Sequence, residues 1–394
     1  MNTQETAALK SVVCEGVERQ RERLLKLSRD IHDNPEPGMQ EFKAARWISD
    51  YLESNGFSVE RGWCGLETAF RARYGSGRPA IALMAEYDAL PKLGHACGHN
   101  IIAASSAGAA ICARPAVDAL GGSVLVLGTP AEELYGGKAM LAERGAFSDL
   151  DAAMLVHPDV RDTAYSAALA CIGLDVEFFG KAAHAAAEPE AGINALEAMV
   201  LSFNAINSLR QHVRDKVRIH GIITDGGEAP NIVPSHTAAS FLVRATEMSY
   251  LGELQQRVLD CFVGASVATG ARLQYKWAEV SYAPLRNNRV LAQAFEKNMM
   301  SLGRRLAPPD LERNLGSTDM GNVSQLVPSI HPMIAIAPRG VQGHSPEFAL
   351  AASSEAGDKA VIDGAKALAM TVVDLLASPS LLALVKREFL DEDS

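Results

Sequence analysis

Three short apolar runs, AIALMA (80–85), SVLVLG (123–128) and AAMLV (152–156), alternate along this chain with stretches of helical character. The stretches between them are IIAASSAGAAICA (101–113), rich in small residues, and KAMLAERGAF (138–147). Strands joined by helix-length crossovers pair in parallel rather than as hairpins. The expected class is therefore α/β, with a mostly parallel sheet flanked by helices. In an open sheet of this kind a site gathers in the loops at the carboxyl ends of the strands. Ahead of the sheet, roughly the first 55 residues read as two helices, with Leu24, Leu25, Leu27 and Ile31 at helical spacing. The break DNPEPG (33–38), with two prolines and a glycine, separates them.

From Ala168 the rhythm changes. LDVEFFG is followed by a helix over 194–213, the strands VRIHGIIT and TAASFLVRAT, a helix over 250–268 and the strand ARLQYKWAEV. The order βαββαβ predicts an inserted, ferredoxin-like α+β domain. After the turn APLRNN (283–288) the first pattern resumes, with PMIAIA (332–337) as a buried strand and an alanine-rich helical region at the C-terminus. A chain of 394 residues exceeds what one core usually organises. The expected division is a discontinuous catalytic domain, 1–167 and 287–394, interrupted by a lid and dimerisation domain over 168–286.

The bulk properties exclude several partners. A net charge of −10 is the wrong sign for a nucleic-acid-binding face. No run reaches the ~18 apolar residues that a membrane-spanning helix needs. The N-terminal stretch carries Glu15, Glu18 and Glu22 and lacks the apolar core of a secretory signal. The six cysteines (14, 64, 97, 112, 171, 261) show no framework spacing, which favours reduced thiols and a cytoplasmic location.

Four places carry chemistry. In AEYDALPKLGHACGHN (85–100) the acids Glu86 and Asp88 end a strand, and Cys97 and His99 at i, i+2 open a helix. A thiolate and an imidazole so spaced can face one cavity and suit a transition-metal ion. A buried cysteine and a hydrogen-bonded histidine at a capped helix start is the bland account. In TPAEELYGG (129–137) the adjacent Glu132 and Glu133 point different ways from one strand end. One can hold a metal while the other accepts a proton from water. Solvated acids at a helix start are the ordinary alternative. His157 in LVHPD and His344 in RGVQGHSPEF are, taken singly, ordinary loop histidines. All four places follow a predicted strand, so one metal centre explains them better than four coincidences do.

These residues, in this order, resemble the amidohydrolase branch of the aminoacylase/carboxypeptidase metallohydrolases (metallopeptidase family 20, subfamily D). DALP…HACGH, PAEE, a histidine at the next strand end, GKAAHA, GG..PN, GSTD.G and a late GHS occur in sequence, over roughly Arg21 to Ala377. HGIITDGGEAPNIVP and GSTDMGNVSQLVPSIHP are most similar to the aminoacylase-like dipeptidase and aminobenzoyl-glutamate hydrolase side of the branch. The resemblance implies that Cys97, His99, Glu133, His157 and His344 bind two divalent ions, with Cys97 as the bridge. Glu132 takes the position of the general base. Asp88 matches a carboxylate that orients a metal-bound imidazole. His184 matches a histidine that the inserted domain lends to the site, and Asn231 and Arg244 match positions that hold the carbonyl oxygen or the substrate carboxylate. Asn100 stands where many members have aspartate. Glu86 stands where several have another acid or a histidine, and whether it touches metal is left open.

The activity implied is hydrolysis of an amide C–N bond in an N-acyl amino acid, an aminobenzoyl-amino acid or a dipeptide-like substrate, by water that the ions activate. Zinc or manganese suits the donors best, and cobalt or nickel is compatible. The partners implied are a small carboxylate-bearing amide and a second copy of the chain. Three rivals stand beside this reading. The same centre could act on another C–N bond, such as that of an aromatic amine. Cys97 could be a nucleophile at a helix N-terminus, which leaves the two glutamates and the distant histidines unexplained. A non-catalytic ligand-binding relative would be expected to have lost the base or a ligand.

Overall fold

The computed structural model describes residues 2–311 and 315–391. The chain divides into two compact units, 1–167 with 285–394, and 168–284. The first opens with α1 (Thr3–Asp33), α2 (Phe42–Ser54), β1 (Ser58–Arg61), β2 (Phe70–Ser76), β3 (Ala80–Ala85), α3 (His99–Leu120), β4 (Gly122–Gly128), α4 (Gly137–Glu143), β5 (Ala152–Met154) and β6 (His157–Asp159). The second comprises β7 (Ala170–Phe179), α5 (Ala195–Leu209), β8 (Arg218–Asp225), β9 (His236–Ala245), α6 (Met248–Thr269) and β10 (Arg272–Trp277). The chain then completes the first unit with α7 (Arg289–Ser301), α8 (Met320–Ser324), β11 (Ser329–Ile330), β12 (Met333–Ala335), α9 (Pro346–Ala352), α10 (Glu355–Ala377) and α11 (Pro379–Asp391).

The first unit is built on a six-stranded sheet in the order β1-β2-β4-β3-β5-β11. Every residue of β3 and β4 is buried, as strands covered on both faces require. Strand alternation sends Ile81, Leu83, Val124 and Val126 into one apolar core and Ala82, Met84, Leu125 and Leu127 into another. β3 pairs in parallel with β4 and β5, and β5 with β11. Only β2 runs against the rest, antiparallel to both β1 and β4. The central sheet is mostly parallel and flanked by helices, as the alternation of apolar runs implies. On one face α3 packs against α1 and α10. Its alanine-rich sequence lets the three helices approach closely, and the stripe Val13, Val17, Leu24, Ile31 of α1 is wholly buried there. A reciprocal cap between Asn2 and Glu5 starts α1.

Among the departures from the sequence reading are two strands. β2 (FRARYGS) was not expected, because arginines separate its buried Phe70 and Ala72 and leave no continuous apolar run. PMIAIA yields only the three residues of β12, which pair in parallel with β6 in a separate two-stranded sheet. Pro332 supplies no N–H group before β12, and the ladder ends where its partner β6 does, at Asp159.

The second unit is a four-stranded antiparallel sheet in the order β10-β7-β9-β8. With βαββαβ connectivity this is the ferredoxin-like arrangement. Val176, Phe178, Phe241 and Val243 of the sheet pack with Met199, Leu254 and Phe262 of the helices. β8 lies at an edge and leaves Ile222 and Ile223 exposed.

Candidate metal centre

The ends of β3 and β4 and the start of β6 bring the predicted site residues together. Beyond Ala85 come Glu86 and Asp88, both fully buried, and beyond Gly128 come Glu132 and Glu133. Cys97 precedes α3 and His99 is its first residue. The two are separated by Gly98 at φ +80, where a Cβ would fall 2.7 Å from Pro158 Cγ. Only glycine permits that contact, which seats the CxH turn against the strand carrying His157.

Both interior histidines have their tautomers set by neighbouring acceptors. His99 Nδ1 lies 2.9 Å from the Asp88 carbonyl oxygen and 3.1 Å from Asp88 Oδ1. His157 Nδ1 lies 2.7 Å from the Pro158 carbonyl oxygen. Each Nδ1 therefore donates, and each Nε2 presents a lone pair. His157 Nε2 faces Cys97 Sγ at 3.3 Å. His99 Nε2 faces Glu86 Oε2 at 3.4 Å and one oxygen each of Glu132 and Glu133 at 4.0 Å. On the outer side the exposed His344 places Nε2 3.4 Å from Glu133 Oε2.

The donors form overlapping triads. Cys97, His99 and His157 offer ligand atoms within 4.8 Å of one another, and so do Cys97, Glu133 and His344. A third triad joins His99 with Glu132 and Glu133. Cys97 is common to the first two. His99 Nε2 and Glu133 Oε1 are buried without a hydrogen-bond partner among the described residues. Lone pairs gathered without donors between them are what a cation satisfies, and sulfur, imidazole and carboxylate donors suit divalent metal ions. Burial pushes the Cys97 thiol up, and Glu133 adds to the shift. Burial likewise raises Glu132, helped by the charges of Glu133, Glu86 and Asp319, so this carboxylate holds a proton readily.

Some residues of the centre gave no signal in the sequence. Lys138, fully buried on α4, sets Nζ 2.6 Å from Glu86 Oε1 and 2.6 Å from Asp319 Oδ1. Burial alone would raise Glu86, but Lys138 and His99 outweigh it and bring it to about 2. One oxygen of Glu86 is thus committed to the ammonium, and the other faces His99. His331 stacks on His157 with ring centroids 5.1 Å apart, and burial brings it down to about 3. Asp319 lies in the GSTD motif, which the sequence singled out without assigning it a role; Lys138 carried no mark at all.

Three further candidates belong to the second unit. His184 is exposed, and its Nδ1 accepts from the backbone N–H groups of Ala186 and Ala187 at 3.3 and 3.1 Å. Its Nε2 therefore carries the hydrogen and is free of that turn. Asn231 is also exposed and lies beside it, its carbonyl accepting from Ala185 N–H at 3.0 Å. Arg244, half-buried on β9, stands between Cys171 of β7 and Arg218 of β8.

Comparison with known proteins gives the family and the fold. The model of peptidase family M20/M25/M40 matches residues 82–372. The Xaa-Arg dipeptidase of Mus musculus is 39% identical over 402 residues, spanning 98% of this chain and 93% of its own. A p-aminobenzoyl-glutamate hydrolase chain of Escherichia coli (strain K12) is 34% identical over 312 residues, spanning 73% of this chain and 64% of its own. A dinuclear metal-binding M20 peptidase from Bacillus subtilis shares the fold with a TM-score of 0.67 at 20% identity, covering 91% of this chain and 99% of that one.

Proposed function

Since this chain belongs to peptidase family M20/M25/M40 and is a metal-dependent hydrolase of C–N bonds, we propose that it cleaves the amide bond of a dipeptide or an N-acyl amino acid with two divalent ions, zinc or manganese, that Cys97, His99, Glu133, His157 and His344 would hold. The observation that carries this reading is the sharing of Cys97 between two donor triads, one completed by His99 and His157 and the other by Glu133 and His344. When bound, the ions supply Lewis acidity and bring the ionisation of water toward neutral pH.

The chain's own groups do the rest. Glu132, beside His99 and raised in proton affinity by burial and by its acidic neighbours, takes the proton of the attacking water and returns it to the leaving nitrogen. Asp88 holds His99 by Nδ1 and Glu133 by its backbone N–H, at 3.1 and 3.0 Å, so one carboxylate aligns two ligands. His184, with its hydrogen on Nε2, donates to the oxygen of the scissile carbonyl as charge develops there. Asn231 supports that oxygen, and Arg244 offers a planar fork to the substrate carboxylate. The second unit serves as lid and dimerisation domain, and the exposed apolar edge of β8 favours a homodimer. The six free cysteines fit a reducing, cytoplasmic setting. No single helix among the described residues is long and apolar enough to cross a membrane.

The test is a substrate panel read by mass spectrometry before chelation, after chelation, and after return of zinc or manganese. It should include Xaa-Arg and other dipeptides, N-acyl amino acids, aminobenzoyl-glutamate and aromatic amines. Amide cleavage that vanishes with the metal and returns with it is expected. Turnover that survives chelation but not iodoacetamide would assign the chemistry to a thiol, and binding without product would make the chain a receptor.

A further inference from the structure

We propose that Glu41 is a positioning residue for Glu132, its buried carboxylate holding the turn Pro130–Ala131 in the conformation that aims the two glutamates; the inference rests on Glu132 acting as the base. Ala131 immediately precedes Glu132 and has φ +61, a left-handed conformation in which its Cβ crowds the backbone. A side chain kept there needs its surroundings to hold it. Glu41 provides the hold. It is fully buried, its Oε1 accepts from Ala131 N–H at 2.8 Å, and its Oε2 accepts from Thr68 Oγ1 at 2.9 Å.

The rest of the segment 36–41 closes around the same turn. The Gly38 backbone comes so near that a Cβ there would lie 2.9 Å from Ala131 Cβ. The carbonyl of Glu36 accepts from Ala89 N–H at 2.8 Å, tying the segment to the loop that carries Glu86 and Asp88. Behind the turn, the Ala131 carbonyl accepts from Gly136 N–H at 2.9 Å. Glu133 has its own anchor, since its N–H donates to Asp88 Oδ2 at 3.0 Å. Loosening Ala131 therefore displaces Glu132 first and leaves the metal-binding carboxylate in place. A leucine would fill the volume of Glu41 without desolvating a carboxylate, so what the acid adds here is the bond it makes to Ala131 N–H.

The experiment uses the metal-loaded full chain. Glu41→Leu should lower kcat about 10- to 100-fold, the scale of a small misplacement of a reacting group. KM should change less than twofold and metal content should stay at the wild-type value. Glu41→Gln, which keeps an acceptor for Ala131 N–H, should restore most of the loss. Glu41→Leu combined with Ala131→Gly should recover several-fold in kcat, because glycine takes φ +61 without a Cβ to crowd. Should Glu41→Leu not fold, Glu41→Asp, one methylene too short to reach, must show the same loss and the same rescue. Amide hydrogen exchange over residues 129–136 gives a readout apart from activity and should quicken in Glu41→Leu. Unchanged exchange, or a double variant no better than the single one, would overturn the positioning role. An active Glu132→Gln would instead overturn the assignment of the base, leaving the exchange result to judge the turn.

Discussion

Lys138 and Asp319, 181 residues apart, are joined twice: the Lys138 backbone N–H donates to Asp319 Oδ2 at 2.8 Å, and its ammonium sits 2.6 Å from Oδ1. The same ammonium reaches Glu86 at 2.6 Å, so one buried cation is shared by two buried carboxylates. Lys138→Met keeps the volume but strands both acids. Breaking a buried pair by removing one partner typically costs about 3–5 kcal/mol. Urea unfolding of the metal-free protein should show a loss of that size. A change below about 1 kcal/mol would mean that water already screens the cluster.

Cys97 and Glu132 occupy different places in the proposed chemistry, and metal analysis separates them. Cys97→Ser replaces the atom common to two donor triads with a harder, weaker ligand, so metal per chain should fall. Glu132→Gln keeps the shape of the side chain but cannot carry a proton between water and the leaving nitrogen, so turnover should fall by at least two orders of magnitude, within the range that general-base catalysis contributes. Its metal content should match the wild type. Full occupancy in Cys97→Ser would move the bridge to another residue. Activity above about a tenth of wild type in Glu132→Gln would move the base.

Much of this site was legible because its signals are local. Cys97 and His99 are two residues apart at a helix start, Glu132 and Glu133 are adjacent, and both pairs follow fully buried apolar runs of strand length. His157 and His344 became legible only by position in the order of motifs, since a lone histidine in a loop carries no periodicity. Lys138 and Glu41 carried no mark in the sequence, and Asp319 was marked only as part of the GSTD motif, without a role. Their partners lie 52, 181 and 90 residues away along the chain, and neither an ion pair nor a hydrogen bond formed across such distances is announced by local spacing. The limit showed in the sheet as well. β2 was missed because its apolar positions alternate with arginines and form no continuous run, and β12 was overextended because its partner β6 ends after three residues.

Glu41 also makes the stability of the protein depend on pH in a direction opposite to most carboxylates. Burial, with the charge of Asp88 behind it, pushes its carboxyl up to about 7, whereas in the unfolded chain a glutamate titrates at roughly 4.3. The folded state thus binds the proton more tightly than the unfolded one. The stabilisation is complete below the unfolded value and is lost as pH rises toward the folded one, chiefly between about pH 4.5 and 7. Glu41→Gln, which has no proton to lose there, should lack this decline. Thermal unfolding of the two metal-free proteins should show the variant gaining on the wild type from pH 5 to pH 8, by on the order of 2–3 kcal/mol. All other titrating groups are common to both chains, so the difference isolates Glu41. A difference that stays flat across that range would mean that the carboxylate remains ionised in the folded protein.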